Sequence, residues 1–346
     1  MDATTIAVDL SKHAFEVVVA NGDWQIIKRH RFSRARFLTF LRTTPPARVV
    51  MEACATAHYW GRVAQAEAHQ VVLLPAAYVR PYVRRNKTDR TDAEALLEAV
   101  RSGQIPAVPV KRVEQQAVVA LHRIREQWKV TRIARINALR ALLAEHGVLL
   151  PSKTTAAVTA APALLIDAAV PGHLRQILDV LHEEIRALEG YIKGVEIQLQ
   201  ALAADDPVIQ RLRTVPGVGL LTATALVGSV GHIHAFRRGR QFASWLGLTP
   251  SEYSSGSRRQ LGGITKRGDR YLRCLLTHGA RAVLANARRY HAVHPRTRLE
   301  QWALAVHQRR GANKATIAVA NKLGRIIWAV WTRDVDFHAA PVLHAA

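Results

Sequence analysis

The chain has 346 residues, which is enough for two or three domains and a sizeable hydrophobic core. It carries 49 Lys and Arg against 26 Asp and Glu, a formal charge of +23, and this excess favours a polyanionic partner such as nucleic acid. No segment approaches about 18 consecutive apolar residues, the start MDATTIAVDL has no basic leader, and Cys54 and Cys274 are the only cysteines. We therefore expect a cytoplasmic protein without a membrane span, a disulfide framework or a cysteine-based zinc site.

Residues 1 to 108 have the pattern of an α/β domain. Short β-branched runs predict strands between residues 4 and 31, at ARVVMEA and at VVLLPA. Asn21-Gly22 between two apolar runs predicts a hairpin. Helices are predicted over residues 34 to 43 and 59 to 69, and another follows the VVLLPA strand. Strands that alternate with helices after a hairpin predict a mixed sheet.

Residues 109 to 205 are predicted to be helical, with a first helix within residues 112 to 147. The second helix carries apolar residues in alternating steps of four and three over four heptads, which is typical of a coiled coil. This heptad seam consists of Leu174, Leu178, Leu181, Ile185, Leu188, Ile192, Val195, Leu199 and Leu202. The two helices can pair within one chain or between chains, and the sequence leaves both arrangements open.

Residues 206 to 346 form the most basic region. From Ser255 onward there are 17 Lys and Arg and 4 Asp and Glu, a net charge of +13, which makes this region the best candidate for contact with phosphates. VPGVG opens a predicted helix and resembles half of a helix-hairpin-helix DNA-binding motif, although a plain tight turn has the same pattern. The polar loop SEYSSGSRRQLGGITKRGDR then leads into helical sequence.

Four acids fall where a catalytic site of an α/β sheet is expected. Asp9 and Glu52 end predicted strands, and Asp89 and Asp92 lie three apart on one face of a predicted helix. Carboxylates that converge repel one another unless cations bind, and hard oxygen ligands suit Mg²⁺ or Mn²⁺. Two such ions can act on both oxygens of a phosphodiester displacement.

The acids in IAVDLSK, VVMEA and KTDRTDA resemble the DEDD pattern of RuvC-like domains. This version is similar to the transposases of the insertion-sequence one-ten family and to the related Piv-like DNA invertases. VPGVG, FASWLGLTPSEYSSGS and GGITKRGDRYLR resemble that family's second domain. The resemblance implies an α/β RuvC/RNase H-like domain (1–108), central coiled-coil helices (109–205) and a mainly helical C-terminal transposase domain (206–346).

The resemblance also implies a Mg²⁺- or Mn²⁺-dependent DNA transposase that cuts and rejoins DNA through a phosphoserine intermediate. The nucleophilic serine of the family matches Ser255 in Tyr253-Ser254-Ser255-Gly256, although Ser254 and Ser257 offer neighbouring hydroxyls. A non-coding bridge RNA is the implied guide to donor and target DNA. Strand exchange needs more than one active site, so we expect a homo-oligomer, either a dimer or a tetramer.

Several basic residues flank the acids and the serine segment. The expected nucleic-acid contacts are Lys87, Arg258, Arg259, Lys266, Arg267, Arg270 and Arg273. Two alternatives remain at this point. A RuvC-like, Mg²⁺-dependent structure-specific nuclease would need the four acids but not Ser255, and a non-catalytic nucleic-acid-binding protein would need neither.

Overall fold

A computed structural model of the protein describes residues 4–83, 89–167, 169–289 and 297–338. The chain divides into two compact units, Met1–Val113 and Glu114–Ala346. Both the central helices and the C-terminal helices belong to the second unit, and the division into three domains stays a prediction.

The N-terminal unit is built on a five-stranded mixed sheet with the strand order β3-β2-β1-β4-β5. Its strands are β1 (Thr5–Asp9), β2 (Ala14–Ala20), β3 (Ile26–Ser33), β4 (Arg48–Glu52) and β5 (Gln70–Leu74). β1, β2 and β3 pair in antiparallel fashion, whereas β4 pairs in parallel with both β1 and β5. The expected mixed α/β sheet is confirmed.

Helices cover both faces of this sheet. They are α1 (Arg34–Thr43), α2 (Ala57–Ala66), α3 (Ala76–Val79) and α4 (Asp89–Arg101). Alternate residues of β1 divide between two cores: Ile6 and Val8 pack in the core that includes α1 and α2, whereas Ala7 packs in the core that includes α4. Burial on both sides explains why the central strands read as continuous apolar runs.

The C-terminal unit is mainly helical, as expected. Its helices are α5 (Val113–Ala144), α6 (Thr154–Leu165), α7 (Gly172–Ala204), α8 (Pro207–Arg213), α9 (Leu220–Val230), α10 (Gly239–Trp245), α11 (Arg270–Arg289), α12 (Arg298–Arg310) and α13 (Ala312–Arg333). A hairpin of β6 (Pro250–Glu252) and β7 (Leu261–Ile264) precedes α11. Within the described ranges, no helix is both long enough and apolar enough to cross a bilayer.

The long helices α5 and α7 run antiparallel and pair within the chain. Three ion pairs join the two helices: Arg125–Glu196 at 2.6 Å, Arg132–Glu189 at 3.3 Å and Arg135–Glu184 at 2.7 Å. The residue numbers rise along α5 as those of their partners fall along α7, which shows that the helices run in opposite directions. The rings of Trp128 and Tyr191 meet between them, with centroids 5.2 Å apart.

The heptad seam of α7 is used for this intramolecular packing. Leu178 and Ile185 are fully buried in a core shared with α6 and with Leu139 of α5. The predicted seam is wrong at its last position, because Leu202 is 47% exposed. Of the two arrangements that the sequence left open, pairing within one chain is therefore the one observed. A coiled coil between chains, and an oligomer built on this seam, stay predictions.

The first glycine of VPGVG, Gly217, has a packing role. Gly217 adopts a positive φ of +79°, and a Cβ at this position would lie 2.6 Å from the carbonyl oxygen of Gly279 on α11. The turn between α8 and α9 therefore meets α11 backbone to backbone, which only glycine permits on either side. This contact explains the glycine without a phosphate, and the helix-hairpin-helix interpretation stays a prediction.

A buried polar triad joins α5, α9 and α11. His122 is 3% exposed, with Nδ1 3.0 Å from the Tyr271 hydroxyl and Nε2 2.9 Å from Oγ1 of Thr224. The Thr224 hydroxyl donates to the carbonyl of Leu220 at 2.8 Å, so Thr224 accepts from Nε2–H and Nδ1 accepts from Tyr271. The neutral imidazole ring of His122 therefore completes the hydrogen bonds of both the Tyr271 and the Thr224 hydroxyls. Burial, and then the charge of Arg125, lower the pKa of His122 from 6.5 to about 4.

We expect acid to destabilise the C-terminal unit through His122. The unfolded ring takes up a proton near pH 6.5 and the folded ring only near pH 4, so the stabilising contribution is complete above pH 6.5 and is lost as the pH falls towards 4. At about 1.4 kcal/mol per pKa unit, the loss reaches a few kcal/mol. His122→Gln can make both hydrogen bonds without titrating. Its free energy of unfolding, measured by urea denaturation, should fall less than that of the wild type over this range, and an unchanged pH profile would contradict the prediction.

Candidate active site

Asp9 and Glu52 stand side by side at the carboxyl ends of β1 and β4. The parallel register pairs Val8 with Met51, so the next residues along each strand are these two acids, on strands about 4.8 Å apart. Side chains alternate between the faces of a sheet. Because Ala7 and Val50 pack in the core that includes α4, Asp9 and Glu52 point towards that same face.

Three of the four predicted acids line one cavity. Asp9, Glu52 and Asp92 surround a space of about 450 Å³, together with Arg80. The remaining lining residues are Ala76, Val79 and Val83. Asp89 is the first residue of α4, one turn before Asp92, but its side chain lies outside the described residues, as does the whole of Lys87. The sheet edge and the start of α4 thus supply carboxylates to the same place.

The donor set fits a divalent cation that is completed by substrate and water. Among the residues whose side chains are described, no three acids, histidines or cysteines lie close enough together to hold a metal ion alone. Mg²⁺ is commonly held by one or two carboxylates, several waters and the phosphates of its substrate. Asp9, Glu52 and Asp92 in an accessible cavity match that incomplete kind of site.

The electrostatics of the strand ends are negative. Burial is the largest cause of a raised pKa at the Cys54 thiol, and the charges of Glu52 and then Asp9 raise it further. The carboxylates of Glu52 and Asp9 therefore both raise the pKa of the same thiol, as expected if the two lie close together. A cation in this position would offset the repulsion between them.

Sequence reasoning missed two charged residues near the acids. Glu16 lies directly opposite Asp9 on β2 and pairs with Arg31 at 3.4 Å, and Arg80 lines the acidic cavity. The register of the β1–β2 pair would have revealed Glu16, because antiparallel partners share a face. Nothing in the local sequence of Arg80 marks it. A further pair, Arg29–Glu94 at 3.1 Å, ties β3 to α4.

Ser255 lies at the tip of the β6–β7 hairpin rather than in an irregular loop. Tyr253 N–H donates to the carbonyl of Gln260 at 2.9 Å. Ser255 and Arg258 exchange backbone hydrogen bonds of 3.2 and 3.1 Å across the turn. Gly256 takes a positive φ of +55°, which suits a tight turn. The serine segment is therefore an ordered turn that presents its side chains to solvent.

The hydroxyls of the three neighbouring serines differ in their surroundings. Ser254 Oγ donates to Glu252 Oε1 at 2.7 Å and accepts from the N–H of Gln260 at 3.1 Å, so it holds the hairpin together. Ser255 and Ser257 are exposed, and within the described part of the chain their hydroxyls have no hydrogen-bond partner. These contacts leave Ser255 and Ser257 available for reaction and engage Ser254.

The predicted basic residues fall into two groups. The side chains exposed on or after the hairpin belong to Arg258, Arg259, Lys266, Arg267 and Arg270. Arg273 is different, because its guanidinium donates to the carbonyls of Leu246 and Gly268 at 3.3 and 3.0 Å. It fixes the turn before α11, whose N-terminus is capped by Asp269. DNA binding by all of these residues stays a prediction, and Arg273 has a structural role as well.

Several known proteins similar to this chain are described as transposases. A family model for the IS110 DEDD transposase domain matches residues 6–147, and one described as the transposase IS116/IS110/IS902 family matches residues 209–294. A probable family 20 transposase of Pseudomonas aeruginosa is 40% identical, over 97% of this chain and 99% of that protein. The transposase for insertion sequence element IS1111A of Coxiella burnetii is 36% identical, over 97% and 92%. The transposase for IS1328 of Yersinia enterocolitica is 35% identical, over 97% and 99%.

These similarities extend over both units and confirm the family indicated by the sequence motifs. Transposases cut and rejoin DNA, and a DEDD transposase domain depends on divalent metal. The chain belongs to the IS110/IS116/IS902 family of insertion-sequence transposases.

Proposed function

We propose that this transposase cuts DNA with Ser255 as the nucleophile and with Mg²⁺ or Mn²⁺ held by Asp9, Glu52, Asp89 and Asp92. The observation that carries the proposal is the meeting of β1, β4 and α4 at one cavity lined by three carboxylates. A divalent cation bound there would neutralise phosphate charge and act as a Lewis acid. The exposed hydroxyl of Ser255, on a turn that also carries Arg258 and Arg259, supports the second half of the proposal.

The proposed chemistry conserves the broken bond. Oγ of Ser255 attacks the scissile phosphorus, and the bond from phosphorus to the leaving oxygen breaks. The serine proton, by way of solvent, ends on that oxygen. On one side of the break the cut strand then carries a free hydroxyl, and on the other side its phosphate is joined to Oγ of Ser255. A hydroxyl of a second DNA strand attacks the same phosphorus and releases the serine. One phosphodiester is exchanged at each step, so no external energy source is needed.

Three partners are part of the proposal: DNA, a structured RNA and further copies of the same chain. The charge of +23 supports binding to both DNA and a structured RNA, and the bridge-RNA guide follows from the family resemblance. Sequencing the nucleic acid that copurifies with the protein tests this, and recovery of random fragments alone would reject it. Homo-oligomerisation follows from the need for several active sites in strand exchange.

A structure-specific nuclease is the alternative, because the acidic cavity alone would suffice for hydrolysis. The two functions differ in their products on supercoiled DNA that carries the element ends. Hydrolysis leaves cut ends, whereas transposition leaves joined strands. The similarity to transposases over nearly the whole chain favours the second.

We predict that Ser255→Ala abolishes strand exchange and the covalent protein–DNA adduct. The adduct is trapped on a nicked element end, digested and mapped by mass spectrometry, and the nucleotide should lie on Ser255. Ser257→Ala is the matched control, because Ser257 is also exposed on the same turn and should retain the adduct. An adduct on Ser257, or full strand exchange by Ser255→Ala, would overturn the assignment.

Removal of a single acid should weaken metal binding. We expect Asp92→Asn to lower Mn²⁺ affinity by about tenfold or more in calorimetry, because a carboxylate ligand becomes neutral. Glu16→Gln is the matched control, since Glu16 lies opposite Asp9 but is paired with Arg31. The Mn²⁺ affinity of Glu16→Gln should stay within about twofold of the wild-type value. Equal losses in both variants would indicate a general effect of charge rather than ligation by Asp92.

A further inference from the structure

The β6–β7 hairpin forms one wall of a large cleft in the C-terminal unit. The cleft has a volume of about 920 Å³ and lies between Gly262 and Gly263 of β7, Trp302 of α12, and α13. β7 pairs with β6 so that Leu261 is opposite Glu252, only three residues before Ser255. At about 3.3 Å per residue, Glu252 is about 10 Å along the chain from Ser255, and its partner Leu261 is where this wall of the cleft begins.

One face of α13 supplies the cations of the cleft. Lys314, Lys322 and Arg325 line it, at spacings of eight and three residues that keep them on one side of the helix. A second cavity of about 520 Å³ shares Lys322 and Arg325 and adds Arg238 and Arg240. Within the described residues, no acid lines either cavity, so both suit a polyanion.

The cleft also holds an aromatic surface. The ammonium of Lys322 lies 4.0 Å from the ring centroid of Trp302. Burial, and then the nearby charge of Arg325, lower the pKa of Lys322, so an anion in the cleft would relieve an existing repulsion. A Cβ on Gly263 would meet nothing within 4 Å, so this part of the wall is open to a ligand.

A concave groove that combines cations with an indole ring has the chemistry of single-strand recognition. Bases stack on aromatic rings while the phosphates contact Lys and Arg. Duplex DNA is instead read by elements that project into its grooves, and a cleft between a hairpin and two helices does not project. The ligand that uses both features is therefore an unpaired nucleotide.

We propose that this cleft binds an unpaired nucleotide of the DNA strand next to the phosphate that Ser255 attacks. Lys322 turns from the ring of Trp302 to a phosphate, Trp302 then stacks on the base, and Lys314 contacts a neighbouring phosphate. This inference rests on the proposed function of Ser255. It adds a binding site that holds the reacting strand out of the duplex while the serine reacts.

The test measures binding without reaction. Full-length protein, freed of nucleic acid and kept in EDTA, is titrated with a labelled single-stranded DNA oligonucleotide and with its duplex, and fluorescence anisotropy is followed. Trp302→Ala should weaken single-strand binding about tenfold, the range expected for loss of one stacked base. Duplex binding should change by no more than about twofold.

Two further variants keep the result interpretable if Trp302→Ala unfolds. Gly263→Val adds volume in an open part of the cleft at a strand position that tolerates a β-branched residue, and it should weaken single-strand binding without a change of charge. Lys314→Gln removes a cation from the cleft, and Lys153→Gln removes an exposed lysine of α6's N-terminus as its matched control. Only the first of these two lysine variants should lose affinity selectively for the single strand.

Three results would overturn the inference: folded variants that bind single strands like the wild type, equal losses for single strand and duplex, or stronger Trp302-dependent binding to RNA of the same sequence than to DNA. The titration is repeated with Ser255→Ala protein. Binding that depends on Trp302 there, together with no adduct on Ser255 in the wild type, would reject the nucleophile and keep the cleft. An adduct on Ser255, together with single-strand binding that does not depend on Trp302, would keep the nucleophile and reject the cleft.

Discussion

The parallel pairing of β1 with β4 is the constraint on which the acidic site depends. Its register places Asp9 beside Glu52, and the strict alternation of strand side chains sends both towards the face covered by α4. A shift of one residue in either strand would turn one acid to the opposite face, into the core with α1 and α2. The apolar residues that bury both faces of these strands therefore also fix the geometry of the carboxylates. Core packing and the placement of the two carboxylates are set by the same hydrogen-bond ladder.

Acidic and basic side chains have different roles in this protein. Glu184, Glu189 and Glu196 of α7 are each engaged with an arginine of α5, and Glu16 and Glu94 are engaged within the N-terminal unit. These five acids thus join one secondary-structure element to another. From Ser255 onward the net charge is +13, and most of the cations lie on the hairpin and on α11, α12 and α13. A surface of this kind attracts nucleic acid at long range, and its contribution weakens as salt increases.

Periodicity and composition predicted much of this structure. Strand runs that end in Asp9 and Glu52 predicted the mixed sheet and the meeting of those acids, because carboxyl ends of parallel strands share an edge. The heptad seam predicted a long buried stripe, but a repeat does not specify its partner, and the partners prove to be α5 and α6 of the same chain. The hairpin at Ser255 has strands of only three and four residues, which is too short for an alternating pattern, so the sequence predicts a loop there. The triad around His122 and the cleft at Trp302 join residues far apart in sequence, and no local signal identifies such contacts.

The central claim is that strand pairing builds a divalent metal site from Asp9 and Glu52 with the start of α4. Crystals of the transposase soaked in Mn²⁺ test it most directly through anomalous diffraction. The account predicts a peak within coordination distance of carboxylate oxygens from both Asp9 and Glu52, at roughly 2.1 to 2.3 Å, and loss of that peak in Asp9→Asn crystals. A well-occupied Mn²⁺ site elsewhere in the molecule, with none between these two strand ends, would contradict it.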